Sequence, residues 1–243
     1  MCQIFSLGGD RCGNFVRIEN AVRQAKATKA DIICFPETII FGWVNSDAHQ
    51  RACPIPGKDS RRLCRLAKKY KTYLCAGLAE IDGTNLYDSV ILIDDNGRIL
   101  LKHRKINILT EFMTPPYTPG KEVNAVQTKF GKIGLLICAD TFEDAILKEM
   151  AALKPDLLLV PYGWAAPEEK WPGHGKKLEK TVKKAALKTG AAVVGTDVVG
   201  EITRGPWKDQ LFGGQSVAAD SSGRILAVAA DRDRDIKVVS IKL

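Results

Sequence analysis

Apolar and polar positions along this chain recur with two periods, and each switch between them marks an element. Phe15, Ile18, Ala21, Val22 and Ala25 repeat at helical spacing, with Asp10 or Asn14 placed to cap the helix. Ile32–Phe35 is a short apolar run that stops at Pro36, the pattern of a buried strand. Leu63, Leu66, Ala67 and Tyr70 predict a second helix, followed by a strand over Tyr73–Leu78. Two further runs, Leu86–Asp94 and Arg98–Lys102, flank Asp95-Asn96-Gly97, and the Asn-Gly pair predicts a hairpin.

Pro115, Pro116 and Pro119 exclude regular structure from the next loop. Beyond it, strands are expected over Val123–Phe130 and Ile133–Cys138 around Gly131-Lys132, then a helix near Phe142–Leu153 and a strand over Asp156–Pro161. A lysine-rich helix follows, then strands over Ala191–Thr196, Gln215–Asp220, Arg224–Ala230 and Ile236–Ile241, with Asp220-Ser221-Ser222-Gly223 turning between two of them. Strands alternating with helices, with hairpins between, predict a layered α/β domain with mixed sheets. No linker, repeat or low-complexity tract interrupts the pattern, so residues 1–243 read as a single domain.

Composition narrows the picture by exclusion. The 243 residues are 45% hydrophobic and 26% charged, which rules out a disordered, collagenous or coiled-coil chain. No run reaches the roughly 18 apolar residues of a spanning helix, so no membrane is expected. Met1–Asp10 lacks the basic-then-apolar pattern of a secretory signal. Seven scattered cysteines with no C-x-x-C pair fit buried thiols in a reducing cytoplasm. Neither they nor the three histidines have ligand spacing, so no metal is expected. The net charge of +8 raises nucleic-acid binding. Lys176, Lys180, Lys184 and Lys188, however, share one helix face opposite Leu178, Val182 and Ala185, as on a solvated helix. No nucleic-acid motif accompanies them, and no nucleic acid is expected.

Three polar residues stand where apolar strands end: Glu37 after Ile32–Pro36, Lys105 after the hairpin, and Cys138 after Ile133–Ile137. Side chains just past strand ends meet in the crevice where α/β folds bind ligands. Taken singly, each has a plain structural reading, and a lone cysteine is most often a buried small hydrophobe. A Cys-His pair is the competing chemistry, but none of His49, His103 and His174 ends an apolar strand. Gly173–Lys177 lacks the upstream glycine and the Ser/Thr of a P-loop, and no G-x-S-x-G is present.

Together these residues resemble the nitrilase superfamily, the carbon–nitrogen hydrolases with a Glu-Lys-Cys triad. The matching strings are F-P-E at Phe35–Glu37, R-K-I-N at Arg104–Asn107, G-L-L-I-C-A-D-T-F-E at Gly134–Glu143, the strand from Leu157 leading to Trp164, and F-G-G-Q-S at Phe212–Ser216. The resemblance implies a four-layer α-β-β-α sandwich, a homodimer or larger homo-oligomer, and no cofactor. It implies hydrolysis of a non-peptide C–N bond in a small amide or N-carbamoyl substrate. Cys138 is then the nucleophile, Glu37 the general base and acid, and Lys105 the oxyanion partner, with Glu111 matching a second glutamate that positions substrate or lysine. Ala139, Asp140 and Trp164 are the expected substrate-binding residues. The residue types suit this chemistry, since an ammonium favours a thiolate and a carboxylate can carry its proton.

Departures from the family pattern keep alternatives open. Ala139-Asp140 replaces the aromatic-acid pair common after the cysteine, tilting the reading from nitriles towards amides or carbamoyl compounds. Lys184–Thr189 stands where the family usually has R-A-x-E-N, Asp197 stands where a later asparagine is common, and a swapped contact between Lys188 and Asp197 is one expectation. The segment before Gln3 is short for the family's first strand. A true nitrilase, an acyl-transferring member and a catalytically idle scaffold are the alternative functions.

Overall fold

The strand and helix periods resolve into two sheets sandwiched between helices. A computed structural model describes every residue from Met1 to Leu243. The first half runs β1 (Cys2–Gln3), α1 (Arg11–Ala27), β2 (Ile32–Cys34), α2 (Ala48–Arg51), α3 (Lys58–Tyr70), β3 (Tyr73–Asp82), β4 (Asn85–Ile93) and β5 (Ile99–Arg104). The middle holds β6 (Ala125–Thr128), β7 (Gly131–Leu135), α4 (Asp144–Ala152), β8 (Leu157–Tyr162), β9 (Ala165–Ala166) and α5 (Gly173–Thr189). The chain closes with β10 (Ala192–Asp197), β11 (Val199–Glu201), β12 (Leu211–Gly213), β13 (Val217–Ala219), β14 (Ile225–Val228) and β15 (Asp235–Ile236).

One main sheet has the order β2-β3-β4-β5, the other β14-β13-β10-β8-β7-β6, and β1-β15 and β11-β12-β9 form two small sheets besides. In the second sheet β7, β8 and β10 run parallel, flanked by antiparallel strands. α1 and α3 lie against the outer face of the first sheet, α4 and α5 against that of the second. The architecture is the expected four-layer α-β-β-α sandwich.

Period two explains how each strand serves two cores at once. Cys75, Val90 and Leu92 point inward and pack with Ile133, Leu135 and Leu159 between the sheets. Their neighbours Leu74, Ala76, Ile91 and Ile93 point outward and pack under Phe15, Ile18, Leu63 and Leu66 of the helices. A strand buried on both faces reads as a continuous apolar run.

The local signals mostly translate directly. Asp10 caps α1 through a hydrogen bond from Gly13 N at 2.9 Å. Asp94 accepts from Asn96 N at 2.9 Å and Arg98 N at 2.8 Å, which closes the hairpin at Gly97. On α5, Lys176, Lys180 and Lys188 are exposed and Lys184 half-buried, while Leu178, Val182 and Ala185 are buried, as the solvated-face reading requires.

Three expectations need correction. The strand expected over Ile236–Ile241 shrinks to Asp235–Ile236, because its partner β1 supplies only Cys2 and Gln3 and the pairing ends in the exchange between Met1 and Lys237. Val239 and Ile241 instead pack half-buried against the inter-sheet core. The strand expected through Cys138 ends at Leu135, and a 3-10 turn over Cys138–Phe142 takes over. Lys188 does not meet Asp197: its Nζ lies 3.1 Å from Asp144 Oδ2 on the surface, while Asp197 is buried.

Gly77 on β3 lets the segment after β2 cross closely over the sheet. A Cβ there would sit 2.7 Å from Glu37 Cα, Pro36 O and Thr38 N, all backbone atoms. Gly77→Ala is expected to destabilise the protein by about 1–3 kcal/mol, read as a lower urea midpoint with unchanged slope. An unmoved midpoint would show that this crossing tolerates a methyl group.

Candidate active site

Glu37 owes its place to the end of β2. Pro36 has no N–H to continue a ladder, and the chain crosses β3 through hydrogen bonds from Phe35 N to Cys75 O (2.8 Å), Gly77 N to Pro36 O (3.2 Å) and Ile39 N to Gly77 O (3.1 Å). Glu37 N then donates across to Tyr162 O of the opposite sheet at 3.3 Å. The carboxylate is thereby fixed between the two sheets.

Lys105 follows β5 and is held at both backbone ends. Its N–H donates to Asp88 O at 2.8 Å, and its carbonyl accepts from Gly120 N at 2.7 Å. Its Nζ lies 2.6 Å from Glu37 Oε1 and 3.7 Å from Asp88 Oδ2. Burial opposes the ammonium, but Glu37, then Cys138 and Asp88, outweigh it and hold the pKa above the ordinary lysine value.

Cys138 begins the 3-10 turn with φ at +40°, a left-handed backbone that non-glycine residues rarely take. Such an outlier persists only where the surroundings over-determine it, and here Asp140 does so. One Asp140 oxygen accepts from Ile106 N (2.8 Å) and Asn107 N (2.9 Å). The other accepts from Ile137 N at 3.0 Å and, with the proton on His103 Nε2, from that ring at 2.8 Å. One buried carboxylate therefore ties the Cys138 turn to the loop that begins at Lys105.

Burial pushes the Cys138 thiol well above its ordinary pKa, and the Glu37 charge adds to this, while Lys105 and the N–H of Gly163 pull the other way. The surroundings of the sulfur thus favour the thiol over the thiolate. Cys138, Glu37 and Lys105 are 4%, 2% and 4% exposed, so the Glu37 and Lys105 charges interact in a nearly dry site.

The structure brings Glu37 and Lys105 into contact and sets Cys138 within their field. Glu111 stands apart: it is exposed, in the short turn Thr110–Phe112, and the acidic partners of Lys105 are Glu37 and Asp88 instead. Ala139 is fully buried, its carbonyl accepting from Asn107 Nδ2 at 2.9 Å. Asp140 is saturated within the scaffold, as described above. Trp164 is half-buried; its N–H donates to Asp197 Oδ1 at 2.7 Å and its ring meets Phe142 and His174. His103 Nε2 lies 2.8 Å from Asp140 Oδ2, and its Nδ1 is buried with no hydrogen-bond partner.

Three residues here carry no motif. Asp88 is a buried acid beside Lys105. A Cβ on Gly163 would come within 3.0 Å of both Glu37 Oε2 and the Trp43 ring, so only glycine leaves that space open. Trp43 in turn packs edge-on against Phe112, Trp207 and Phe212. A cavity of about 330 Å³ lies elsewhere, between the end of α1, β2 and the C-terminal stretch, and none of Glu37, Lys105 and Cys138 lines it.

A carbon–nitrogen hydrolase family model matches residues 1–243. The chain belongs to the carbon–nitrogen hydrolase family. It is 27% identical over 244 residues to an (R)-stereoselective amidase of a Pseudomonas species, covering 100% of this chain and 84% of that one. It is 33% identical over 142 residues to a bifunctional nitrilase/nitrile hydratase of Lupinus angustifolius, a match that takes in 50% of this chain and 41% of the plant protein. The match thus spans less than half the length of that relative. Among solved structures, an amidase from Nesterenkonia sp. AN1 superposes with a TM-score of 0.82 at 20% identity, over 96% of this chain and 86% of that one. That likeness confirms the carbon–nitrogen hydrolase fold.

Removing the Asp140 carboxylate would strand several buried donors. Asp140→Ala is expected to cost about 3 kcal/mol or more in unfolding free energy, measured by chemical denaturation. A loss within about 0.5 kcal/mol, the range of ordinary surface substitutions, would contradict the tying role.

Proposed function

We propose that this protein hydrolyses the C–N bond of a small amide or N-carbamoyl compound through a thioester on Cys138. The observation that carries the reading is the buried Lys105–Glu37 pair, 2.6 Å apart, beside a cysteine held at positive φ. Family membership supports it, as does the Nesterenkonia amidase, whose active-site cysteine carries the acetamide moiety of fluoroacetamide in one structure.

Glu37 takes the thiol proton as the sulfur bonds to the carbonyl carbon, so thiolate is formed only when it is used. The carbonyl oxygen gains the electron pair and faces the Lys105 ammonium, which needs no reorganisation to stabilise it. Collapse of this intermediate breaks the C–N bond, and Glu37 gives its proton to the departing amine or ammonia. Water then enters, Glu37 takes one of its protons, and the oxygen bonds to the acyl carbon. The C–S bond breaks and Glu37 returns the proton to sulfur, restoring the start. A site this enclosed favours a small acyl group.

The same reading includes a homo-oligomer in a reducing cytoplasm. All seven cysteines are free, and Phe142 and Leu187 expose 38% and 55% of their surface on the outer helical layer, where a second copy would cover them.

A panel of short amides, N-carbamoyl compounds and nitriles, assayed for ammonia, tests the reaction. Release from an amide or carbamoyl compound is expected. Cys138→Ala should abolish it with an unchanged circular dichroism spectrum, and Glu37→Gln or Lys105→Ala should each lower kcat/KM by about 10²-fold or more. Turnover surviving in Cys138→Ala would overturn the reading. Activity on nitriles alone would replace the amide assignment with a nitrilase one, and silence across the panel would favour an idle scaffold.

A further inference from the structure

Asp88 is a second carboxyl in this site, and no motif led to it. It lies on β4, facing the inter-sheet side with Val90 and Leu92, and is 1% exposed. Its backbone carbonyl accepts from Lys105 N at 2.8 Å, so the two residues are locked in register. Its Oδ2 lies 3.7 Å from Lys105 Nζ, yet the ammonium leans to Glu37 at 2.6 Å. Asp88 Oδ1, Glu37 Oε2 and the Tyr117 hydroxyl are all buried with no hydrogen-bond partner.

Two ionised carboxylates offer each other only acceptors. Glu37 and Asp88, which approach the same ammonium, therefore bond only if one of them holds a proton. Two buried anions against one ammonium would also leave an uncompensated charge in a dry site. The charged and titratable groups facing Asp88 are Glu37 from the β2 crossing, Lys105 after β5, Tyr117 from the proline-rich loop and Asp140 from the turn after β7. Burial, then Glu37, push the Asp88 carboxyl well above its ordinary range, with Lys105 opposing.

We infer that Asp88 is a positioning residue of this site: it holds a proton and hydrogen-bonds Glu37 through it, so that Glu37, Asp88 and Lys105 together carry no net charge. This rests on the hydrolase reading for its consequence, because the bond aims the Glu37 carboxylate and supports its ionised form while Lys105 stays free to meet the oxyanion. It also accounts for the exposed position of Glu111: the second acid beside the lysine comes from β4.

Infrared difference spectra between the wild type and Asp88→Asn, in H2O and D2O at neutral pH, test the proton directly. A carboxylic-acid C=O band that shifts in D2O and disappears in Asp88→Asn is expected, and the same band should persist in a Cys138→Ala background. That readout needs no turnover, so it stands even if the hydrolase reading fails. Where turnover is found, the pH profile of kcat/KM gives a second test. Asp88→Asn replaces a neutral donor by a neutral donor and should leave the acid limb in place, with kcat/KM lowered by less than about tenfold. Asp88→Ala removes the donor and should move the acid limb up by about one pH unit. If Asp88 were ionised, both variants would carry the limb to lower pH and no acid band would appear. If Asp88 only filled space, neither the limb nor the band would respond. Either result overturns the inference.

Discussion

An ammonium can be buried only where charge and hydrogen bonds replace the water it loses, and Lys105 sets that requirement for the whole site. Desolvation works against the ion, and Glu37 at 2.6 Å, with Asp88 behind it, repays the loss. Once that pair is in place, other features follow from it. In the proposed reaction the carboxylate carries the proton of the neighbouring thiol, and the ammonium faces the carbonyl oxygen as it gains charge. The same low dielectric that makes the pair costly to assemble makes it strong towards a developing charge.

Four separate stretches of chain must meet to build this arrangement, and the two-sheet sandwich makes that possible. β2 and β5 are the edge strands of one sheet, while β7 lies inside the other. Glu37 N reaches Tyr162 O across the gap, and Asp140 gathers Ile106, Asn107, Ile137 and His103 around a single carboxylate. Backbone hydrogen bonds hold Glu37 and Lys105, so their spacing depends on the sheets keeping their register. Gly77 and Gly163 serve the same end by leaving room where the Glu37 segment passes.

Much of this was legible in the chain. The helix at Phe15–Ala25, the Asn-Gly hairpin and the apolar runs that end at Glu37, Lys105 and Cys138 each rest on local periodicity or turn chemistry, and the structure keeps them. What escaped has a common cause. β1, β9, β11 and β12 are two or three residues long, too short for a period to register, and exist only because distant segments pair with them. Asp88 sits between Tyr87 and Ser89 in a strand whose alternation looks ordinary, and only the register of β4 with β5 shows that it faces Lys105. Glu111 and Asp140 show the converse: position after a motif residue did not reveal that one is exposed and the other consumed by the scaffold.

The central claim is that Glu37 activates a Cys138 thiol that burial otherwise keeps unreactive. Brief iodoacetamide treatment at neutral pH, followed by peptide mass mapping of all seven cysteines, measures this most directly. The account predicts that Cys138 is alkylated ahead of the other six and that Glu37→Gln slows this step by about tenfold or more. Alkylation of Cys138 no faster than the exposed Cys12, or at a rate indifferent to Glu37→Gln, would contradict it.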